Sequence, residues 1–280
     1  MARFRYVIAD VFTDTPLQGN PVAVFTDARE IPEEKLQQIA REMNLSETVF
    51  VYKPEGEGHA RIRIFTPTIE MPFAGHPTLG TAFILSGPLQ LEEIRLETGM
   101  GVVPVRLERD DSGRIVFGRM AQPLPTIEPY GDEAELFEIL GVGGSELPVE
   151  IYDNGVKHVY VALPSEDAVA GLTPLLGRLP ELYCFNCFAG AGSRWKTRMF
   201  APASGVAEDP ATGSAAGPLA LHLARHGRIA FGDEIEISQG KEVGRPSTLF
   251  ARVDGSADDV QRVEVGGSAV TVARGELSVS

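Results

Sequence analysis

Short apolar runs bounded by turn formers recur along the whole chain and predict a strand-rich protein. RFRYVIADVF at 3–12 reads as a first strand, and TDTPLQGNP after it as a loop dense in turn formers. PVAVF follows as a second strand, its proline at the start where a missing donor is harmless. VFVYK and the alternating RIRIF lie on either side of the turn PEGEGHA. DDSG at 110–113 turns a hairpin between VVPVRLE and RIVFG. Farther on, VKHVYVAL, LYCFNCFAG, WKTRMF, EIEIS, STLFARV, QRVEV and AVTVA all read as strands.

Helical spacing interrupts this pattern in four places. In PEEKLQQIAREM (32–43), Leu36, Ile39, Ala40 and Met43 sit at i, i+3, i+4, i+7, the apolar face of an amphipathic helix. Pro32 and the glutamate pair suit its first turn, and Asn44 its end. GDEAELFEIL predicts a second helix of this kind. TLGTAFIL after Pro77 and ATGSAAGPLALHLA after Pro210 are apolar nearly all round, and such a helix is buried on every side.

The proline-rich MAQPLPTIEP ends the first half and places a domain boundary near residue 122. The expected domains are 1–122 and 123–280, with the last strand free to return to the first. The halves follow one plan. Val159 and Val161 can be laid on Val22 and Val24, and each half holds one all-apolar helix. The junction before that helix is written twice: with Pro77 set on Pro210, Gly80, Thr81 and Ala82 fall on Gly213, Ser214 and Ala215 at an offset of 133, and His76 meets Asp209. The expectation is an α+β fold of two similar domains, each wrapping its strands around a central helix.

A helix N-terminus exposes unpaired N–H groups and the positive end of the dipole, and a bound carboxylate satisfies both. Two such ends facing each other across a domain cleft would form a two-sided anion cradle. The plainer reading makes Asp209 an ordinary N-cap and His76 a capping or interface residue. Glu47, in NLSET, is either a solvated glutamate or, turned into a closed cleft, a carboxylate with a raised pKa fit for acid–base work. Ser46 and Thr48 beside it either orient that carboxylate or shape the turn.

Composition narrows the function classes. The 280 residues carry a net charge of −14 and no lysine or arginine block, which disfavours nucleic acid and anionic membrane surfaces as partners. No apolar run approaches the roughly 20 residues of a membrane span, and MARFRYVIADVF lacks a leader pattern, so the cytoplasm is the expected location. Cys184 and Cys187 suit a half-buried strand. His222 and His226 lie at helical spacing far from them, and HLARH lacks the glutamate of a zinc-protease motif, so no metal is expected.

TDTPLQGNPVAVF, NLSETVFV, FAGHPTLGTA, EDPATGSAAG and QGKEVGRPS, in that order and over essentially the whole chain, resemble the phenazine-biosynthesis PhzF-like isomerase family. The resemblance implies the fold of diaminopimelate epimerase: two β-barrels, each around a central helix, with the active site between them. It implies isomerisation of trans-2,3-dihydro-3-hydroxyanthranilate, or a like small unsaturated carboxylate, with no cofactor. By motif, Glu47 takes a proton and returns it elsewhere on the ring, while His76 and Asp209 hold the substrate and assist. Gly75, Gly213 and Ser214 match substrate-binding residues at the helix ends, Asn20 matches one in the first active-site loop, and Ser46 is counted with them. A homodimer is also implied.

MAQP departs from a Met-Pro-x-Pro-like turn common in relatives, which touches the linker only. QGKEVGRPS reads as strand and turn, with Arg245 free to serve dimer contacts or a substrate acid group. A related racemase would need a cysteine at each junction, and this chain has Gly-His-Pro and Glu-Asp-Pro there. Two alternatives stay open: an amino-acid or hydroxy-acid epimerase, and a non-catalytic binding protein that retains the fold.

Overall fold

The structure is a computed structural model that describes residues 2–279. The chain separates into two compact units, residues through Ala121 together with Gly266 onward, and Gln122–Val265.

The first unit contains β1 (Ala2–Val11), β2 (Asn20–Phe25), α1 (Glu33–Met43), β3 (Glu47–Tyr52), β4 (Ala60–Phe65), β5 (Glu70–Met71), α2 (Gly75–Leu89), β6 (Glu93–Thr98), β7 (Gly101–Arg109) and β8 (Ile115–Ala121). The second contains β9 (Thr126–Pro129), α3 (Glu133–Leu140), β10 (Glu150–Asp153), β11 (Lys157–Ala162), α4 (Glu166–Ala170), β12 (Cys184–Ala191), β13 (Arg194–Ala201), β14 (Val206–Asp209), α5 (Gly213–Arg225), β15 (Glu234–Gln239), β16 (Ser247–Gly255) and most of β17 (Val260–Gly267). The last strand, β18 (Ala269–Val279), pairs antiparallel with β1.

The two units repeat one pairing scheme. In the first, β1–β2 is antiparallel, β2–β3 parallel, β3–β4 antiparallel, β4–β6 parallel and β6–β7 antiparallel. In the second, β10–β11, β11–β12, β12–β13, β13–β15 and β15–β16 follow in the same order of senses. Each parallel pair is joined through a helix, as parallel strands require a crossover. TIEP, read from sequence as part of a linker, is instead the strand β9 and pairs with β10. A proline is tolerated there because it ends the strand.

The amphipathic helix α1 buries Leu36, Ile39 and Ala40, the face its spacing predicts. They pack with Phe25, Phe50 and Phe65, whose rings meet at centroid distances of 5.3 and 5.4 Å. Pro32 stands at the N-cap rather than in the first turn, and Asn44 closes the helix in the left-handed region at φ 50°. In the second unit, Leu136, Ile139 and Leu140 of α3 pack with Ile151, Val159, Phe185 and Phe200.

The all-apolar helices lie inside. Strands β1, β2, β3, β6, β7, β8 and β18 all touch α2, whose first eight residues are buried. Side chains on Gly80 or Gly118 would collide across this helix–strand contact, Gly80 with Val11 and Val22, Gly118 with Leu79 and Phe83. In α5 every residue from Gly213 to Ala224 is buried.

Burial of α5 creates a polar problem. Pro218 lies within the helix and has no N–H, so the Ser214 carbonyl four residues earlier loses its helical donor. Asn154 supplies the replacement: its Nδ2 donates to Ser214 O at 2.9 Å. On either side, Gln122 donates to Gly213 O at 2.7 Å and the Tyr160 hydroxyl to Ala215 O at 2.7 Å. Asn154→Ala is expected to destabilise the protein by about 1–3 kcal/mol by leaving a buried carbonyl unpaired. Combined with Pro218→Ala, which restores an N–H at that position, it should cost less. Urea unfolding of the two single variants and the double variant checks this, and equal losses in both backgrounds would refute the substitution of one donor for the other.

Candidate functional site

The parallel pairing of β2 with β3 sets Val22 opposite Glu47 and so brings the starts of both strands side by side. Glu47 is therefore the first residue of a strand, not part of the loop that the sequence suggested. Asn20 opens β2 and His76 is the second residue of α2. Asn20 Nδ2 lies 3.1 Å from His76 Nδ1, and His76 Nε2 lies 3.2 Å from Glu47 Oε2. The Nε2 contact is close but not aligned as a hydrogen bond. The His76 side chain is 3% exposed and that of Glu47 15%. Burial pushes the His76 imidazole down to about 3, against a weaker opposite pull from the Pro21 carbonyl, so the ring is neutral at ordinary pH. Ser46 is half-buried next to Glu47, and Gly75 is buried at the start of α2. The N-cap residue of that helix, Ala74, has no side chain able to cap it.

In the second unit Asp209 ends β14 and is buried. Its Oδ2 accepts from the Thr212 hydroxyl at 2.8 Å. Gln239 braces the same turn: its Oε1 accepts from Thr212 N at 3.0 Å, and its Nε2 lies 2.8 Å from Asp209 O and 2.9 Å from Thr212 Oγ1. Gly240, at φ +80°, allows the next turn to press against Pro210, whose carbonyl a side chain there would strike. Thr212 is thus the N-cap residue of α5, though its side chain serves Asp209 rather than the helix. Gly213 and Ser214 follow as the first two helical residues.

These helix starts correct the junction register read from sequence. α2 begins at Gly75, two residues before Pro77, whereas α5 begins at Gly213, three residues after Pro210. Matching helix to helix pairs Gly75-His76 with Gly213-Ser214, an offset of 138 rather than 133. His76 then corresponds to Ser214, not to Asp209. Asp209 is not a helix cap either, since it belongs to the strand before the turn. The shared Pro-x-x-Gly spacing misled because small residues are frequent in both tightly packed helices.

Besides Gln122, Asn154 and Tyr160, three polar residues around the α5 start were not singled out from sequence. The His158 ring, on β11, places Nε2 3.0 Å from Ser214 Oγ, and Asn186 on β12 stands behind it. Gln239 is the third. A signal existed for His158: VKHVYVAL sets His158 and Tyr160 two apart on one face of a strand whose other face carries Val159 and Val161. Asn186 and Gln239 carried no comparable mark.

Cys184 and Cys187 are both buried, and burial pushes the Cys187 thiol up to about 12. HLARH gains a carboxylate from β10: Glu150 Oε2 lies 3.2 Å from His222 Nδ1 and 2.9 Å from His226 Nε2. The same oxygen also receives the Arg225 guanidinium at 2.8 Å and the Tyr152 hydroxyl at 2.9 Å. Burial works to raise this carboxyl, but those hydrogen bonds and the Arg225 charge hold it well below the usual range. Arg225 already neutralises the carboxylate, so the cluster reads as a closed ion network rather than a cation site.

The phenazine biosynthesis-like (PhzC-PhzF) family model matches residues 9–275. The chain belongs to that family. It is 54% identical over 275 residues to the trans-2,3-dihydro-3-hydroxyanthranilate isomerase of Pseudomonas fluorescens, covering 98% of this chain and 99% of that protein. The enzyme of the same name from Pseudomonas aeruginosa is 53% identical, over 97% of this chain and 98% of its own. A PhzF-family protein of Bacillus anthracis superposes with a TM-score of 0.87 at 25% identity over the full length of both chains. A hydroxyproline epimerase of Agrobacterium vitis shares the fold, with a TM-score of 0.67 at 13% identity over 99% of this chain and 91% of that one. Close relatives are isomerases, and this chain is an isomerase of their family.

The buried histidines set a pH dependence. Burial holds His158, like His76, down to about 3, below the ordinary value near 6.5. The unfolded chain therefore binds more protons than the folded one below about pH 6.5. Their contribution is complete above that pH and is lost as pH falls toward 3, at about 1.4 kcal/mol per pH unit for each ring. Urea midpoints should drop between pH 7 and pH 5, and His76→Gln should flatten that drop. A midpoint independent of pH over this range would contradict burial of neutral rings.

Proposed function

We propose that this chain moves a proton on a small unsaturated ring carboxylate of the dihydro-hydroxyanthranilate type, with Glu47 as the carrier. One observation carries the assignment: a mostly buried carboxylate lies 3.2 Å from a buried, neutral imidazole at the start of a buried helix. A carboxylate so placed can accept a proton from one ring carbon and return it to another while solvent is kept away. The substrate and product are isomers, so no oxidant, reductant or second substrate enters the balance. The full-length similarity to enzymes named for trans-2,3-dihydro-3-hydroxyanthranilate supports that compound as the first substrate to try.

The remaining residues have roles that fit their surroundings. Asn20 orients the His76 ring through Nδ1, and His76 steadies the Glu47 carboxylate. Ser46 flanks that carboxylate. The starts of α2 at Gly75 and of α5 at Gly213 and Ser214 each offer N–H donors of the kind that binds a carboxylate or developing negative charge. Asp209, held by Thr212, is by family motif the residue that assists proton transfer.

The test follows absorbance of trans-2,3-dihydro-3-hydroxyanthranilate in H₂O and in D₂O. Wild-type protein is expected to convert it, and Glu47→Gln to lower kcat by about 100- to 10,000-fold, the usual range for losing a general acid–base group. Unchanged turnover in Glu47→Gln would remove Glu47 from the mechanism. Conversion of an amino acid to its mirror stereoisomer, with none of the ring substrate consumed, would favour an epimerase instead.

A further inference from the structure

Among the described residues, the hydrogen-bond partner of the Ser214 hydroxyl is His158 Nε2, at 3.0 Å. Which partner donates depends on where the imidazole proton sits. The other ring nitrogen, Nδ1, lies 3.3 Å from Asn186 Nδ2. That amide cannot be turned over freely. Its Nδ2 also lies 3.2 Å from the Cys184 carbonyl and 3.3 Å from the Val159 carbonyl. Reversing it would set Oδ1 against two carbonyl oxygens. The N–H side of Asn186 therefore faces His158 Nδ1, which must present a lone pair. The proton is left on Nε2, where it points at Ser214 Oγ.

We propose that His158 is a positioning residue, fixed by Asn186 as the Nε2–H form, which donates to Ser214 Oγ and so directs the Ser214 hydroxyl hydrogen to a ligand carboxylate. The assignment rests on the proposed function above, in which the α5 start binds that group. It adds a reason why a serine there acts as a donor. A serine beside an imidazole ordinarily has two choices, giving its hydrogen to the ring or accepting one from it. With Nε2 already protonated, only the second remains. The hydroxyl hydrogen then joins the N–H groups at the start of α5, and the helix end becomes a site of donors alone, matched to an anion.

Burial reinforces the arrangement. His158 is fully buried, Asn186 is 1% exposed and Ser214 5% exposed. Burial also disfavours the imidazolium, so the ring keeps one proton rather than two. A charged ring would donate from both nitrogens and collide with the Asn186 N–H groups. In the first unit the corresponding helix position is His76 itself, so the two helix starts each meet an imidazole, one carried by the helix and one by the neighbouring strand.

The proposal is tested on the full chain in two ways. Two-bond ¹H–¹⁵N spectra of the wild-type imidazoles should show His158 as the neutral Nε2–H form throughout pH 5–8. An Nδ1–H form, or an imidazolium in that range, overturns the proposal. The second test measures binding of 3-hydroxyanthranilate, an unreactive aromatic carboxylate, by calorimetry. His158→Phe and Ser214→Ala should each weaken its Kd by about 10- to 100-fold, the scale of one hydrogen bond to a charged group. The double variant should be no weaker than Ser214→Ala alone, because His158 acts through Ser214. His158→Gln, which keeps an N–H near the Nε2 position, should recover most of the affinity. Additive losses, or no recovery with glutamine, assign His158 a packing role and refute the proposal. If wild type fails to bind the probe, the proposed function falls, and the spectrum alone decides the direction of the His158–Ser214 bond.

Discussion

A helix start sealed inside a strand layer is the constraint on which the rest of this protein depends. Its first N–H groups have no helical partner, and burial without one is costly. The same holds for any first-turn carbonyl that loses its donor, as Ser214 does to Pro218. Neither α2 nor α5 solves this with a capping side chain of its own. For the carbonyls at the start of α5 the partners come from residues distant in sequence, Gln122, Asn154 and Tyr160, while Asn20 and His158 meet the side chains of His76 and Ser214. A repeated order of parallel and antiparallel pairings delivers them in each unit.

The two helix starts share a scaffold and differ in chemistry. At α2 the second helical residue is an imidazole with a carboxylate 3.2 Å away. At α5 it is a serine whose hydroxyl lies 3.0 Å from the His158 ring. An end of the first kind suits proton transfer, and an end of the second kind suits binding an anion. Such a division suits catalysis without a cofactor, since donors fixed in advance need no reorganisation as charge develops. The isomerase relatives and the hydroxyproline epimerase carry different names on one fold, so the fold alone does not fix a substrate.

Burial has a second consequence. His76, His158 and His222 are all enclosed, and burial lowers the pKa of each. Two of them stand at the helix starts, where a neutral ring can serve as donor on one nitrogen and acceptor on the other. The third closes the Glu150 network beside Arg225. Acid therefore acts on the fold and on the candidate site through the same groups.

Much of the fold was legible in local patterns. The spacing of Leu36, Ile39 and Ala40 marked the buried face of α1, the runs around RIRIF and VKHVYVAL marked strands, and the all-apolar stretches after Pro77 and Pro210 marked the buried helices. These depend on periodicity and burial, which neighbouring residues carry together. The ordered motifs also marked the family and singled out Glu47, His76, Asp209 and Ser214. What sequence could not supply was the register between distant segments. The 133-residue offset looked sound in one dimension, yet the helices begin at Gly75 and Gly213, and His76 answers to Ser214. His158, Asn186 and Gln239 became visible only when strand pairing brought them to the α5 start, because a polar residue in a strand declares its role by what it faces. The sequence by itself carried the marks of the buried helices, of many strands and of residues chemically able to move a proton, though not of EIRLET, TIEP or EIYD as strands. Tertiary structure alone decided which polar side chain meets which helix end, since hydrogen-bond partners are set by distance and direction in space and not by spacing along the chain.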